Sequence, residues 1–285
     1  MEYLMTYGWA ILIIAVVLAV LFQMGIFNPS TFAPRAQPGS CKVLRPLGPG
    51  TTFNINLMGT CGSQTPQYTA QFNGQSSYVS IPTTPGISGS SSVTVSSWVN
   101  VSSLSNTPAI LQDLSFTTNM WVIQIYIHSN GQVEADFGGT TPGWIAAGLA
   151  PSNALMLNVW DNVVATWQSG SGISIYINGV PQTISYVVGS ATSTGTLGVP
   201  PVGAIGACPF VCVPPSSMSG SIANVQIYNT SLTTNEVQVM YAKGMGGTPL
   251  VLQNLVGWWP LNGDTKDYSG NGNDGTPTNV IFTHT

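Results

Sequence analysis

The sequence predicts a mostly β protein in which a long hydrophobic α-helix is followed by a two-sheet β-sandwich of jelly-roll type. Three observations lead to this prediction. An uncharged apolar run extends from Tyr3 to Phe27. From residue 51 onward, short segments rich in β-branched and aromatic residues alternate with clusters of Gly, Asn, Ser and Pro. Within this second part, one short helix signal occurs at residues 232–243. We therefore divide the chain into a helix at 1–27, a stalk at 28–50 and a sandwich at 51–285.

The composition is unusually poor in charge. Only 5% of the 285 residues are charged, and five Lys and Arg against nine Asp and Glu give a net charge of −4, whereas soluble domains carry about 25% charged residues. Nucleic-acid binders need clustered Lys and Arg to displace counterions from phosphates, so this class is excluded. A surface of Thr, Ser, Asn and Gly hydrates a β fold without charge. The composition therefore favours an extracellular structural protein.

The N-terminal run is long enough, at about 1.5 Å per residue, to cross a bilayer as a helix. Pro29 disfavours helical geometry at Asn28 and ends the helix there. A secretory signal peptide and a plain membrane anchor are the alternatives. No basic residue precedes the run and no small-residue cleavage site follows it, which argues against the signal peptide. The one early charge is Glu2, whereas a plain anchor carries Lys or Arg on its cytoplasmic side.

The same segment resembles the mature N-terminus of archaeal type IV pilins, because Glu2–Ile11 (EYLMTYGWAI) matches the run that those subunits carry after leader cleavage. The resemblance implies that a prepilin peptidase removes a basic leader and that Met1 lies a few residues inside the mature end. It also implies a helix that sits in the membrane before assembly and then packs among its own copies in a filament core. The residues expected to act in assembly are Glu2, Tyr3, Leu4, Met5, Tyr7, Gly8, Trp9, Ile13, Val17 and Leu21.

Packing among copies agrees with the apolar pattern, because a helix without a polar face must bury its whole circumference. In the pilin family, the residue that matches Glu2 neutralises the N-terminal amine of a neighbouring subunit. The alternative for Glu2 is a solvated carboxylate at a helix start, where it also suits the helix dipole.

Residues 28–50 contain five prolines and three of the five basic residues, which indicates a semi-rigid stalk. The chain has four cysteines, and an even number in an extracellular context predicts disulfides. Their order suggests Cys41–Cys61 and Cys208–Cys212. Zinc is the alternative, but His128 and His284 lack zinc-finger spacing.

Strand patterns follow one another through the sandwich region, and most alternate with period two. They are FNINL (53–57), YVSIP (78–82), VTVSSWVNV (93–101), MWVIQIYI (120–127), VVATW (163–167), ISIYINGV (173–180) and IANVQIY (222–228). Asn130-Gly131 and Asn178-Gly179 are hairpin signals. The short helix is expected to begin at Thr233 or Thr234, with Glu236 in its first turn, and to end at Gly244.

These segments resemble the laminin-G-like, concanavalin A-like sandwich family. The motifs that carry the resemblance are Phe72-Asn73-Gly74, Val95–Val99, Trp160–Trp167, Ile175–Val180 and Gly220–Tyr228, in that order. One departure concerns the segment LVGWWPLNGDTKDYSGNGNDGTPTNVIFT at 255–283, because its counterpart opens many such domains and here it comes last. The domain is therefore expected to be circularly permuted. We expect the C-terminal strands to complete their own sandwich, and donation to a neighbouring copy is the alternative.

Candidate sites are few, and no catalytic triad is apparent, so we expect a protein without enzymatic activity. Glu134 and Asp136 alternate on one strand and must face the same side. Glycosidases of this fold use paired strand carboxylates, so a glycan hydrolase is a third hypothesis, although an exposed strand face is the simpler interpretation. His128 is expected to be a solvated turn residue.

Oxygen-bearing residues cluster near the C-terminus, and such ligands at this density suggest a Ca²⁺ site. They are Asp264, Asp267, Asn271 and Asp274. The alternative is a set of local turns held by Asp and Asn side chains. No other cofactor is expected.

The glycosylation sequons are at Asn100 and Asn229, and unmodified surface Asn is the alternative. Among the aromatic residues, Trp98, Trp121, Trp160 and Trp167 are expected in the core, as is one of Trp258 and Trp259. Trp144, beside Pro142-Gly143, is the best candidate for an exposed sugar-stacking ring.

Taken together, the sequence predicts a structural subunit of an extracellular archaeal type IV pilus whose lectin-like outer domain serves adhesion. Its partners would be copies of itself, the membrane before assembly and surface glycans, and not nucleic acid. The alternative is a membrane-anchored, lectin-like protein that binds glycans at the cell surface and does not polymerise.

Overall fold

The computed structural model describes residues 13–17, 65–82, 85–113, 122–140, 143–199, 202–208 and 216–285. The predicted stalk and the predicted strand at 53–57 lie outside these residues, as do Cys41, Cys61, Cys212 and Trp121. The chain divides into two compact units, and residues 13–17 and the β-sandwich belong to different units.

The N-terminal unit is represented by residues 13–17, which are helical. Ile13 and Val17 are exposed by 58% and 49%. The rest of the predicted long helix is not shown, and the other assembly residues from Glu2 to Leu21 lie outside the described residues. Within the described ranges, no helix has the length and apolarity needed to cross a membrane.

The described strands form two eight-stranded antiparallel sheets. In spatial order, the first sheet contains β10 (Val180–Pro181), β9 (Gly172–Ile177), β8 (Trp160–Gln168), β3 (Ser92–Ser103), β13 (Ser219–Tyr228), β1 (Tyr68–Asn73) and β16 (Ile281–His284), with β14 (Leu255–Trp259) also on β13. The second contains β11 (Ser185–Val188), β7 (Trp144–Leu149), β6 (Val133–Gly138), β5 (Ile123–Ile127), β4 (Ala109–Asp113), β12 (Val202–Ile205), β2 (Tyr78–Pro82) and β15 (Thr276–Thr278). Short 3-10 turns lie at Pro85–Ile87 and Leu252–Asn254.

The main core lies between the two sheets and follows from the period-two alternation. On β6, for example, Val133, Ala135 and Phe137 belong to the buried apolar cluster. Phe137 stacks on Trp167 of the first sheet, with ring centroids 6.2 Å apart. The prediction that Trp167 fills the core is confirmed. The mostly β, two-sheet sandwich is confirmed with it.

The predicted short helix is also confirmed, at Thr234–Lys243. Thr233 is its N-cap and forms a capping box with Glu236, and the chain leaves the helix at Gly244, whose φ is 82°. The helix belongs to a second buried cluster, which also contains side chains from the first sheet. The cluster comprises Val164, Tyr176, Tyr228, Leu232, Val237, Met240, Leu255 and Trp258.

The C-terminal strands complete the sandwich of their own chain, as the sequence predicted. β14 pairs with β13, β15 pairs with β2, and β16 pairs with β1. β1 pairs with residues 219–222 of β13 and β14 with residues 225–228, so the two strands follow one another along the same edge. The backbone N–H of Tyr68 donates to Asn262 Oδ1 at 2.8 Å beside this junction. The expectation of a circular permutation stays a prediction.

Asn224 lies at the junction between β1 and β14 and has a φ of 51°. Its Oδ1 accepts hydrogen bonds from Trp258 Nε1 at 2.7 Å and Gln226 Nε2 at 2.9 Å. Its Nδ2 donates to the Gly247 carbonyl at 2.8 Å. One buried amide therefore joins β13, β14 and the loop that follows the helix.

Candidate functional site

The candidate site lies on the outer face of the second sheet, around β6. Because Val133, Ala135 and Phe137 face the core, Glu134 and Asp136 must face the other side. The prediction that these two carboxylates share a face is confirmed. The strand register places Tyr126 opposite Glu134 and Gln124 opposite Asp136. Gln112 on β4 lies opposite Gln124 and extends the row of polar residues.

These polar side chains are buried. Glu134 is 7% exposed and Asp136 is 3% exposed, while Gln124 and Gln112 are 8% and 3% exposed. The interpretation of Glu134 and Asp136 as an exposed strand face is therefore wrong. Alternation determines which side a residue faces, but it does not determine whether that side meets water. Buried polar groups without hydrogen-bond partners are costly, so each polar atom of this row is expected to have a partner.

Glu134 has a partner in His128, which follows β5. Nε2 of His128 lies 2.5 Å from Oε2 of Glu134, and the imidazole is 36% exposed. The ring of His128 also packs against Tyr126, with centroids 5.3 Å apart. The expectation of a solvated turn histidine is thus wrong, because the β5–β6 hairpin folds the imidazole back onto the acidic face.

Asp136 shares side-chain hydrogen bonds with Tyr126 and Glu134, but one of its carboxyl oxygens is unsatisfied. Its Oδ1 is buried without a hydrogen-bond partner. Burial, followed by the charge of Glu134, raises the pKa of Asp136 to about 8. Burial and the Asp136 charge also raise the pKa of Tyr126 far above its usual range, so the phenol is neutral. At neutral pH the Asp136 carboxyl is therefore mostly protonated, and its buried Oδ1 lacks a partner.

Trp144 lies on the same face as Asp136. It pairs directly with Gly138, which is two residues beyond Asp136 on β6. The register of β6 and β7 is irregular between Phe137 and Gly138, so the position of Trp144 rests on its pairing with Gly138 and not on alternation along β7. Trp144 is half-buried. The opposing Gly138 has no side chain, and the register places Ala147 beside Asp136.

An aromatic ring next to amides, a phenol and carboxylates is suited to hydroxyl-bearing ligands. The ring offers a flat apolar surface, and the polar groups donate and accept hydrogen bonds. In the described part of the chain, no group of three or more His, Cys, Asp or Glu is arranged to hold a metal ion.

The predicted calcium residues are placed in one C-terminal loop, where they bond to donors of the protein. Oδ1 of Asp267 accepts from the backbone N–H groups of Trp258 and Ser269, and its Oδ2 accepts from the N–H of Asn273 and the hydroxyl of Ser269. Asp274 Oδ1 accepts from the Asp267 N–H.

Two further bonds complete this loop. Asp264 Oδ2 accepts from the hydroxyl of Tyr268, and Asn271 Nδ2 donates to the carbonyls of Leu255 and Val256. All four residues thus act in closing the loop, as the alternative of local turns predicted. Calcium binding here stays a prediction, and the four donors on Asp267 weigh against it.

The two sequons differ in their surroundings. Asn100 is half-buried on β3, where it pairs with Trp160 and Ser221. The side chain of Asn229 is engaged at both ends, because Nδ2 donates to the Gly86 carbonyl and Oδ1 accepts from Asn254. Glycosylation at either residue stays a prediction. Cys208 is disulfide-bonded, and its partner lies outside the described residues.

The remaining described tryptophans differ in their burial. Trp259 is fully buried between the sheets, and Trp258 is 8% exposed in the cluster that contains the helix. Trp98 lies outside the core and stacks on Tyr241, with centroids 5.6 Å apart, so its assignment to the core is wrong. Trp160, at the start of β8, is half-buried and is absent from both buried clusters.

The two sheets and the polar outer face define a jelly-roll sandwich of the concanavalin type. The chain belongs to the concanavalin A-like lectin/glucanases superfamily, because the laminin-G-like family of that superfamily matches residues 73–238, more than half of the chain. A search of curated proteins finds no match.

Solved structures share the fold at low identity. A Bacteroides ovatus protein with a proposed carbohydrate-binding role has a TM-score of 0.54 and 18% identity over 77% of this chain and 60% of its own. The heptameric SAP-like pentraxin of Limulus polyphemus has a TM-score of 0.53 and 16% identity over 77% of this chain and 95% of its own. A Trypanosoma rangeli sialidase has a TM-score of 0.41 and 21% identity over 55% of this chain and 24% of its own.

Sequence reasoning found Glu134, Asp136 and Trp144 but did not join them into one site. It missed Tyr126 and the two glutamines entirely. The signal was present, because IQIYI and ILQD place polar residues at alternating positions of apolar strands. Only the register shows that these positions form one row.

Proposed function

We propose that the sandwich binds glycans on the outer face of the second sheet and does not cleave them. The observation that carries the proposal is the buried, unpartnered Oδ1 of Asp136 on a face that also presents Trp144. A sugar hydroxyl would supply the missing donor while the sugar ring stacks on the indole. The family supports this role, since its description joins lectins with glucanases.

We further propose that the chain is a subunit of an extracellular archaeal type IV pilus. The support is the match of Glu2–Ile11 to the pilin N-terminus and the uncharged run that follows it. The helix would reside in the membrane before assembly and then polymerise with other copies through its apolar surface. Burial of apolar surface is worth about 25 cal/mol per Å², so a helix of this composition gains substantially from bundling. The sandwich would decorate the filament and serve adhesion.

A second candidate is a membrane-anchored, glycan-binding surface protein that never polymerises. Its support is the same apolar run, which suits an anchor as well as a filament core. Shearing cells and examining the released material would separate the two candidates. The pilus proposal expects this chain in sheared filaments, whereas recovery of the chain only from membranes, as a monomer, would contradict it.

Glycan binding is tested on a glycan array with the full chain in detergent micelles. We expect at least one saccharide to bind, and Trp144→Ala to weaken its affinity about tenfold or more, as truncation of a binding hot spot does. Trp160→Ala is the matched control, since that half-buried tryptophan lies on the first sheet. If no saccharide binds, or if both variants lose affinity equally, the proposed site is wrong.

The same preparation tests the absence of turnover. We expect no release of reducing ends from any bound saccharide over prolonged incubation. If the wild type releases reducing ends and Glu134→Gln or Asp136→Asn does not, the result would contradict a pure binding role and support the glycan hydrolase.

A further inference from the structure

The charge of the outer face bears on the kind of saccharide it takes. The strands of the second sheet contain Asp113, Glu134 and Asp136 but no Lys or Arg. In the described part of the chain, the lysine and arginine residues are Lys243 and Lys266. Lys243 ends the helix, and Lys266 lies in the C-terminal loop. No lysine or arginine of the described strands therefore accompanies Glu134 and Asp136, and the imidazole of His128, which follows β5, pairs with Glu134.

Recognition of an acidic sugar uses paired cations, above all the fork of an Arg side chain. At this site a ligand carboxylate would instead approach the carboxyl groups of Glu134 and Asp136, which are 7% and 3% exposed. Burial of a ligand carboxylate there would remove its water without supplying a cation, because the imidazole of His128 already pairs with Glu134. The site thus disfavours anionic ligands.

The unpartnered Oδ1 of Asp136 favours a ligand group that donates a hydrogen bond over an anionic one. A carboxyl oxygen without a partner is satisfied by an O–H or N–H donor. Gln112 and Gln124 add amide groups along the same row, which can both donate and accept. A neutral sugar offers several hydroxyls that both donate and accept, along with an apolar ring face for Trp144.

We propose that this face selects neutral saccharides and rejects sugars that carry a carboxylate. The inference rests on the proposed glycan-binding function and specifies its ligand class. The selectivity arises because a ligand carboxylate would meet Glu134 and Asp136 at a buried position, where the neighbouring basic side chain, His128, is already paired with Glu134.

The test uses matched pairs of oligosaccharides that differ only at C6, namely neutral glucose, galactose and mannose trisaccharides and their uronate counterparts. Affinities are measured by calorimetry at pH 7 with the full chain in a zwitterionic detergent. For a pair whose neutral member binds, we expect its uronate to bind at least tenfold more weakly. In the Glu134→Gln/Asp136→Asn double variant, which is isosteric, we expect that deficit to shrink to threefold or less. Thermal unfolding of the variant shows that it is folded.

The outcomes separate the inference from the proposal beneath it. If a uronate binds as tightly as its neutral counterpart and Trp144→Ala weakens both, the site binds glycans but the selectivity is wrong. A deficit that persists in the folded double variant likewise overturns the role of the two carboxylates. If no member of any pair binds, both the proposed glycan binding and the proposed selectivity are wrong.

Discussion

Nε2 of His128 lies 2.5 Å from Oε2 of Glu134, so the residue that follows β5 is tied to the acidic face of β6. Glu134 is 7% exposed, and a buried carboxylate is costly unless a partner accompanies it. The hairpin between β5 and β6 therefore contributes to the stability of the site as well as to its shape.

Removal of His128 should destabilise the sandwich through Glu134. We expect His128→Ala to lower the free energy of unfolding by about 1–3 kcal/mol, because a buried acceptor loses its partner. Urea unfolding at pH 6 measures this loss. His284→Ala is the control, since that exposed residue lies at the C-terminus and surface changes stay within about 0.5 kcal/mol. In a Glu134→Gln background the same change should cost clearly less, and an equal cost would contradict the pairing.

Asp136 should give the stability of the protein a distinctive pH dependence. Its pKa is about 8 in the folded chain, against an ordinary value of 3.8, so between these values the folded chain holds a proton that the unfolded chain has lost. The free energy of unfolding should therefore fall as pH rises from 4 to 8, by at most about 1.4 kcal/mol per unit from this group, and then level off.

The matched variants isolate this contribution. Asp136→Asn should flatten the decline between pH 4 and pH 8 and raise the midpoint of urea unfolding at pH 8. Asn235→Ala, at an exposed position without an ionisable group, should leave the profile unchanged. A profile that is the same in the wild type and in Asp136→Asn would show that burial does not shift this carboxyl group.

Asn224→Ala should disrupt the junction that joins β13, β14 and the loop after the helix. The change leaves Trp258 Nε1 and the Gly247 carbonyl without their hydrogen bonds, and each buried unpaired group costs about 1–3 kcal/mol. Thermal unfolding should show a clearly lower Tm. Asn235→Ala, on the exposed side of the helix, is the control. A loss no larger than that of the control would mean that the network adds little.

Chelation tests whether the C-terminal loop depends on calcium. Asp267 already accepts four hydrogen bonds, so we expect excess EDTA to leave the Tm unchanged. Asp267→Asn should lower the Tm even in EDTA, because an amide N–H₂ would face backbone donors. A Tm that falls on chelation and returns with Ca²⁺ would instead support the metal site.

Much of the fold could be predicted from the sequence because its signals are local. The alternation of β-branched residues located β2, β3, β5, β8, β9 and β13, and the Thr233–Glu236 capping pattern located the helix. The two adjacent tryptophans show the limit of such signals. Alternation requires Trp258 and Trp259 to face opposite sides, yet both are buried, because the second cluster covers the outer face of the first sheet.

The candidate site was only partly predictable for the same reason. Spacing shows that Glu134 and Asp136 share a side, but their burial depends on contacts that spacing does not contain. Trp144 joins them through its pairing with Gly138, and His128 joins them through the hairpin. These are contacts between strands, and a single sequence does not specify the register that creates them.

Sugar binding on the outer face of the second sheet is tested most directly by an experimental structure of the full chain with a bound saccharide. The ligand should be the tightest neutral oligosaccharide from the binding assays. We expect a sugar ring against Trp144, with one hydroxyl within hydrogen-bonding distance of Asp136 Oδ1. A sugar bound at the C-terminal loop or on the first sheet, with Asp136 Oδ1 still unpartnered, would contradict the proposed site.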